Sequence, residues 1–179
     1  ATSGNYSIRI GDNEMAITIS GAHKGQLSPE QIMRVNLDGN PLEEKKPSAE
    51  TLLHCQIYKK HPHISAILHT HSVANTVLSR VASCDEIILD GYELLKAYPG
   101  IKTHETTIHL PVFENTQDMV ALSDDVEKVL NEKPDTPAYV IRGHGIYGWG
   151  ADMDEAERVI EATEFLLACE LEHLKLKGA

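Results

Sequence analysis

The sequence lacks long apolar segments, a secretory leader and paired cysteines. No apolar run approaches the ~20 residues that a transmembrane helix needs, so we expect no membrane span. No basic and then apolar leader opens the sequence, which argues against secretion. Cys55, Cys84 and Cys169 are odd in number and show no C-x-x-C spacing. We therefore expect free thiols in a reducing, cytoplasmic compartment.

Basic residues are also scarce, and this scarcity bears on possible partners. The chain has 16 Lys and Arg against 27 Asp and Glu, a formal net charge of −11. Nucleic acids and anionic membranes both require a cationic face, so neither is an expected partner. A small anionic substrate remains compatible, because a few local donors can hold a phosphate group.

The order of predicted elements indicates the fold class. The sequence has neither repeats nor low-complexity tracts, and its 179 residues suffice for one domain, taken as 1–179. Helical patterns follow Ser48, which is a plausible N-cap, and fill 152–177 at the end. Several predicted strands are joined by tight turns rather than by helices. We therefore predict an α/β domain with a mixed, mainly antiparallel sheet and helices packed on it.

The segment SAILHTHSVAN places His69 and His71 one residue apart in a predicted strand. Residues i and i+2 of a strand face the same way, so both rings can approach one ion at ~2.0–2.1 Å, as zinc requires. His144 is the best third ligand, since the glycines on either side permit a sharp turn that exposes its ring. Three histidines predict a metal site that keeps one position open.

Other interpretations of these histidines remain open. Zinc could serve structure, hydrolysis or Lewis-acid chemistry. A structural site usually has four ligands and is rich in cysteine, and a zinc hydrolase would be indicated by H-E-x-x-H, which the sequence lacks. His61 and His63 share the H-x-H spacing, yet their surroundings favour a solvated loop. We interpret His54, His109 and His173 as surface residues or satisfied core residues.

Two glutamates and two glycine-containing stretches are candidates for further chemistry. Glu50 lies at the start of a predicted helix, where it either favours the helix dipole or acts as an acid or base beside an anion held by Ser48. Glu93 follows a predicted strand, where it is a functional loop residue or a plain surface residue. The stretches TSGN and SGAHKG, the second with Lys24, could wrap a phosphate or merely form turns.

Five blocks of the sequence resemble the class II aldolase and adducin family, in the family's order. They are TSGN, ITISG, KPSAET, ILHTHS and IRGHGIYGWG. The blocks GYELLKA, THET, LPVFENTQD and EATEFLLACELE more narrowly resemble a sugar-phosphate dehydratase branch of that family. The resemblance spans nearly the whole chain and implies the family's fold, with helices on both sides of the sheet, one Zn²⁺ per subunit and a homotetramer with active sites near subunit boundaries.

The resemblance also implies roles for individual residues. The metal ligands would be His69, His71 and His144, and the acid–base residues Glu93 and Glu50. The phosphate pocket would comprise Asn5, Ser20, Gly21 and Ser48, with Lys24 joining it. The sequence departs from the family in Ala49, where many aldolases have a second Ser, and in lacking the usual helix before TSGN. Some dehydratases of this type have Cys in place of Glu50.

The expected activity is zinc-dependent dehydration of a phosphorylated ketose. Aldol cleavage of such a ketose through the same zinc-stabilised enediolate is the main alternative, and the metal site alone does not separate the two. A non-catalytic, adducin-like interaction module is a third interpretation. Such a module would have no need for three histidines and the two glutamates.

Overall fold

The computed structural model describes residues 3–178, with an eight-stranded mixed sheet at its centre. The strands are β1 (Gly4–Gly11), β2 (Glu14–Thr18), β3 (Ile32–Asn36), β4 (Ala66–Thr70), β5 (Glu86–Asp90), β6 (Thr107–Phe113), β7 (Ala138–Ile141) and β8 (Gly145–Gly150). The helices are α1 (Thr51–Lys60), α2 (Val73–Val81), α3 (Met119–Glu132) and α4 (Met153–Lys177). Short 3₁₀ helices occupy Lys24–Gln26, Pro29–Gln31 and Glu93–Ala97.

The sheet has the strand order β3-β2-β1-β4-β8-β7-β6-β5. Among the described strands only the β6–β7 pair is parallel, and the other neighbouring pairs are antiparallel. Tight turns join β1 to β2 and β7 to β8, as antiparallel neighbours permit. The prediction of a mixed, mainly antiparallel sheet is confirmed.

The helices cover both faces of the sheet, which is also confirmed. One core contains Leu53 of α1 and Val126 of α3, and the other contains Leu78 of α2 and Val159 of α4. Strand β4 serves both cores, because successive side chains of a strand point to opposite faces. Its Ile67 packs in the first core, whereas the residues on either side of it pack in the second.

The start of α1 differs from the prediction that Ser48 is its N-cap. The helix begins at Thr51, with Glu50 in the N-cap position and no side chain capping it. Ser48 instead accepts hydrogen bonds at its backbone oxygen from the amide and hydroxyl of Thr51. The Ser48 prediction is wrong because the chain enters the helix two residues later, and Glu50 places its carboxylate in contacts with other strands instead of on the helix amides.

Two further sequence expectations concern the chain end and the membrane. Thr2 of the TSGN motif lies outside the described residues, whereas Gly4 and Asn5 begin β1. Within residues 3–178, no helix is both long and apolar enough to cross a membrane.

Candidate metal centre

His69 and His71 lie at the end of β4 and point to the same side, as the sequence predicts. Their Nε2 atoms are 2.9 Å apart, and the His69 side chain is fully buried. Thr70 between them points to the opposite face, where its hydroxyl donates to Glu164 of α4 at 3.0 Å. The alternation of the strand therefore separates the two imidazoles from the hydroxyl, and places the imidazoles together.

His144 reaches the pair because two glycines shape the turn between β7 and β8. Gly143 adopts φ +64°, a conformation that residues with a Cβ rarely take. A Cβ on Gly145 would lie 2.4 Å from the Thr70 carbonyl oxygen and 2.6 Å from Cε1 of His69. The close approach of β8 to the histidines of β4 therefore requires glycine at this position.

Arg142 fixes the same turn against the end of α2. Its guanidinium donates to the carbonyl oxygens of Ser79 at 2.6 Å and Ala82 at 2.8 Å. The Gly143 amide donates to the Ser79 hydroxyl at 2.9 Å. These bonds satisfy carbonyls that a helix end leaves free, and they hold the backbone beside His144 in place.

The three histidines form a group suited to a divalent ion. One ligand atom from each of His69, His71 and His144 lies within 4.8 Å of the others. The Nδ1–H of His69 donates to the Ile146 carbonyl at 2.9 Å, which directs its lone pair at Nε2 toward the other rings. Burial lowers the pKa of His69 to about 4, so its ring is neutral and able to bind metal at pH 7.

A further observation supports the fit to a metal. Nδ1 of His144 is buried and has no hydrogen-bond partner among the described residues. An unpaired buried polar atom is costly, and a cation bound at Nδ1 of His144 would give that atom a partner. The donor set of imidazoles suits Zn²⁺ and several other divalent transition metals.

Glu50 approaches the histidine cluster from the start of α1. Its Oε2 lies 3.3 Å from Nε2 of His69, and its Oε1 lies 3.3 Å from Nε2 of His144. Oε2 also accepts hydrogen bonds from Nδ2 of Asn5 and from the hydroxyl of Tyr147, both at 2.7 Å. The Glu50 side chain therefore lies beside the cluster, where it contacts histidines and caps no helix amide, and its role as an acid or base stays a prediction.

Opposing effects act on the pKa of Glu50. Burial would raise it, but the charge that His69 carries when protonated and the hydrogen bonds from Tyr147 and Asn5 outweigh burial and hold the pKa below its usual value. Glu50 is therefore a carboxylate at neutral pH, able to accept a proton or to face a cation.

A cross-strand row explains how these groups come together. Asn5 pairs with His69 between β1 and β4, and His69 pairs with Tyr147 between β4 and β8. Tyr147 in turn pairs with Tyr139 of β7, and the two phenol rings stack at 4.9 Å. Tyr147 also stacks on the His69 ring at 4.2 Å, which fixes the plane of that imidazole.

Glu93 occupies a very different environment. It lies on the 3₁₀ helix Glu93–Ala97, and 70% of its side chain is exposed. Its carboxylate pairs with Lys96 and with Nδ1 of His104 at 3.3 Å. Among the described residues it contacts none of the three histidines, so one chain does not bring the two candidate glutamates together.

The residues expected to bind phosphate lie on neighbouring segments. Ile19 forms a β-bridge with Pro47, and the Ser20 amide donates to the Lys46 carbonyl at 3.0 Å, which brings the Ser20–Gly21 turn beside Ser48. Ser48 is two residues from Glu50, and its hydroxyl accepts weakly from the Glu50 amide at 3.4 Å.

Asn5 and Lys24 are partly engaged by other groups. Asn5 is buried, its amide oxygen accepts from His54 and one of its N–H groups donates to Glu50. The Lys24 ammonium donates to the Ala22 carbonyl at 2.6 Å, and burial lowers its pKa. Their assignment to a phosphate pocket stays a prediction.

Sequence reasoning missed two polar residues near the cluster, Tyr147 and Glu164, and it gave His54 no role at the site. Tyr147 could have been found from strand alternation, because it follows Gly145 by two residues on β8. His54 follows Glu50 by four residues on α1, so the two lie on one helix face. Glu164 accepts hydrogen bonds from Thr70, Ser72 and Asn75, and no local pattern signals these long-range contacts.

Comparison with known proteins identifies the family of this chain. Residues 1–171 match the family model described as the class II aldolase and adducin N-terminal domain. The chain belongs to this family.

Two named relatives show which branch of the family this chain resembles. The chain is 51% identical over 172 residues to the methylthioribulose-1-phosphate dehydratase of Pseudomonas syringae pv. tomato, which covers 96% of this chain and 84% of the relative. It is 52% identical over 172 residues to the protein of that name from Pseudomonas fluorescens, covering 96% and 83%. The resemblance to a dehydratase branch is confirmed.

Solved structures confirm the fold. The L-fuculose-1-phosphate aldolase of Thermus thermophilus superposes with a TM-score of 0.78 at 25% identity, over 100% of this chain and 87% of that one. Another L-fuculose 1-phosphate aldolase superposes with a TM-score of 0.79 at 22% identity, over 98% and 77%. At that identity the likeness shows the fold alone.

Proposed function

We propose that this protein is a zinc-dependent hydro-lyase that converts 5-methylthio-D-ribulose 1-phosphate to 2,3-diketo-5-methylthiopentyl 1-phosphate in methionine salvage. The observation that carries the proposal is the 51% identity, over 96% of the chain, to a protein named methylthioribulose-1-phosphate dehydratase. The cluster of three histidines with a carboxylate against it supports the metal-dependent chemistry that such a reaction needs.

The reaction requires loss of a proton from C3 and of a hydroxyl group from C4 of a ketose with its carbonyl at C2. His69, His71 and His144 would hold the ion. Bound zinc supplies a positive charge that stabilises the negative charge developing beside C3, worth several kcal/mol. A carboxylate accepts the C3 proton, and the C4 oxygen takes up a proton and leaves as water. The resulting enol tautomerises to the diketone, so only water is lost.

Both candidate glutamates enter the proposal as proton-transfer groups. The dehydratase resemblance supports Glu93 in this role, and the contacts of Glu50 with His69 and His144 support Glu50. Acid–base assistance by a positioned side chain typically contributes ~10²–10⁴-fold. Because Glu93 contacts none of the histidines within one chain, its role depends on a neighbouring subunit.

We accordingly propose a homotetramer with active sites near subunit boundaries, located in the cytoplasm. An exposed apolar row on α2 supports association between chains: Val73, Val77 and Val81 are exposed by 77%, 41% and 62%. Rows of this kind usually mark an interaction surface. The substrate's phosphate would lie against Asn5, Ser20, Gly21 and Ser48, with Lys24 nearby.

The proposal is tested with methylthioribulose 1-phosphate and purified protein. We expect formation of the diketone, seen by its ultraviolet absorbance, and about one zinc per chain by metal analysis. Cleavage of a phosphorylated ketose without any diketone would instead indicate an aldolase. A folded protein that binds no metal would indicate a non-catalytic module.

The variants Glu50→Gln and Glu93→Gln separate the two carboxylates. Each should lower kcat by ~10²–10⁴-fold if its carboxylate transfers a proton, with the zinc content at saturating zinc unchanged. Loss of zinc in either variant would reassign that glutamate as a metal ligand. Full activity in one variant would remove that residue from the proton-transfer step.

A further inference from the structure

A buried row of polar side chains connects α1 to β1 behind the metal centre. Glu50, His54 and Tyr58 recur every four residues and so share one face of the helix, while Asn5 and Ser7 share one face of the strand. The two sets interleave in the order Glu50, Asn5, His54, Ser7, Tyr58 through direct hydrogen bonds. We call these five residues the α1–β1 polar row.

The interior of the row is closed to solvent. His54 is fully buried, and Asn5, Ser7 and Tyr58 are exposed by only 4%, 2% and 1%. Burial of polar groups is costly unless each finds a partner, so a row of this length persists only when every donor meets an acceptor.

The contact at the Glu50 end fixes the direction of every hydrogen bond in the row. An amide nitrogen only donates, so Nδ2 of Asn5 donates to Oε2 of Glu50 at 2.7 Å. The Asn5 oxygen then faces Nε2 of His54 and can only accept from it. In a neutral imidazole the other nitrogen, Nδ1, is bare.

The remaining bonds follow from that assignment. Nδ1 of His54 accepts from the Ser7 hydroxyl at 2.7 Å. Because the only hydroxyl proton of Ser7 is donated to His54, the Ser7 oxygen accepts from the Tyr58 hydroxyl at 2.9 Å. Every donor in the α1–β1 polar row therefore points toward Glu50. Burial lowers the pKa of His54 to about 3, in agreement with a neutral ring.

We propose that His54 is a positioning residue: as the Nε2–H tautomer it orients the Asn5 amide and thereby holds the Glu50 carboxylate toward His69 and His144. Reversing the Asn5 amide would turn its oxygen toward the carboxylate, where the two acceptors would repel each other. His54 prevents that reversal because its Nε2–H requires an acceptor. His54 therefore acts on Glu50 through one intermediate, Asn5, and among the described residues it forms no hydrogen bond with His69, His71 or His144.

Nuclear magnetic resonance of protein with ¹⁵N-labelled histidine tests the tautomer directly. We expect the His54 ring, assigned by its disappearance in His54→Gln, to show a protonated Nε2 and a bare Nδ1 at pH 7. A bare Nε2, or a doubly protonated ring, would overturn the proposal. This readout uses unaltered protein and depends neither on substrate nor on the proposed dehydratase activity.

Two substitutions of His54 then distinguish a positioning role from simple packing in the core. The amide of Gln reaches the position of Nε2 and can still donate to Asn5, whereas the shorter Asn occupies the position of Nδ1. We expect His54→Asn to weaken zinc binding ~10–100-fold, as loss of an outer-shell partner does, and His54→Gln to retain most of the affinity. Zinc affinity is measured by competition with a chelator.

Equal zinc affinities in two folded variants would show that the donor at Nε2 does not matter, and would overturn the proposal. This arm depends on the proposed zinc site, whereas the tautomer does not. Unaltered protein that binds no zinc would therefore contradict the proposed function and leave the tautomer measurement to decide the role of His54. The same measurement decides the case in which a variant fails to fold.

Discussion

The two candidate glutamates lie in regions that differ in almost every physical respect. The Glu50 side chain is 12% exposed and contacts two histidines, an amide and a phenol. The Glu93 side chain is 70% exposed and pairs with Lys96 and His104 on a short 3₁₀ helix. One carboxylate is held by the fold of a single chain, and the other is held by surface pairs that contribute little.

The difference shows that the fold of one chain organises the surroundings of Glu50 but not those of Glu93. The region around Glu50 is organised by the sheet, because Asn5, His69 and Tyr147 face one another across three strands. Among residues 3–178, the region around Glu93 has no such support from neighbouring strands. If Glu93 takes part in the reaction, its position must be completed by assembly of subunits.

The largest expected effect on stability comes from removing the Glu50 carboxylate. Glu50→Ala would leave the Tyr147 hydroxyl and the Asn5 amide without their acceptor. Each buried donor left unpaired costs ~1–3 kcal/mol, so the loss of both partners should lower the free energy of unfolding of metal-free protein by ~2–6 kcal/mol. Urea denaturation at a fixed protein concentration measures the change. A loss below ~1 kcal/mol would show that the two donors find other partners.

Two neighbouring tyrosines test the hydrogen bond to Glu50 with a matched control. Tyr147 and Tyr139 are both fully buried, face each other on neighbouring strands and stack. The Tyr147 hydroxyl donates to Glu50, whereas the Tyr139 hydroxyl is buried without a partner among the described residues. Tyr147→Phe should lower the free energy of unfolding by ~1.5–3 kcal/mol, the usual worth of a hydrogen bond to a charged group.

Tyr139→Phe is the control, and we expect it to be neutral or stabilising because it removes an unpaired polar group. Thermal unfolding of both variants measures the difference. Equal destabilisation by the two substitutions would mean that the hydrogen bond from Tyr147 to Glu50 does not add to the free energy of unfolding.

Parts of this arrangement could be predicted from sequence because they depend on local periodicity. Strand alternation placed His69 and His71 on one side, and flanking glycines singled out His144. The antiparallel character of the sheet followed from the tight turns. The environment of Glu50 could not be predicted, since Asn5, His69 and Tyr147 lie on separate strands and the register that aligns them has no local signal. His54 was interpreted as a surface or satisfied core residue, and both of its nitrogens are indeed bonded.

The smallest expected effect on stability is that of Glu93→Gln, which tests whether a neighbouring subunit completes the surroundings of Glu93. Within one chain the carboxylate is exposed and its ion pair with Lys96 is a surface pair, so the free energy of unfolding should change by less than ~0.5 kcal/mol. Unfolding is measured over a range of protein concentrations, because association of subunits makes apparent stability depend on concentration. An unchanged stability together with a large loss of activity would assign Glu93 to chemistry rather than to folding. A loss above ~1 kcal/mol that grows with protein concentration would instead show that Glu93 is buried between subunits and contributes to their association, which the exposed environment in one chain does not require.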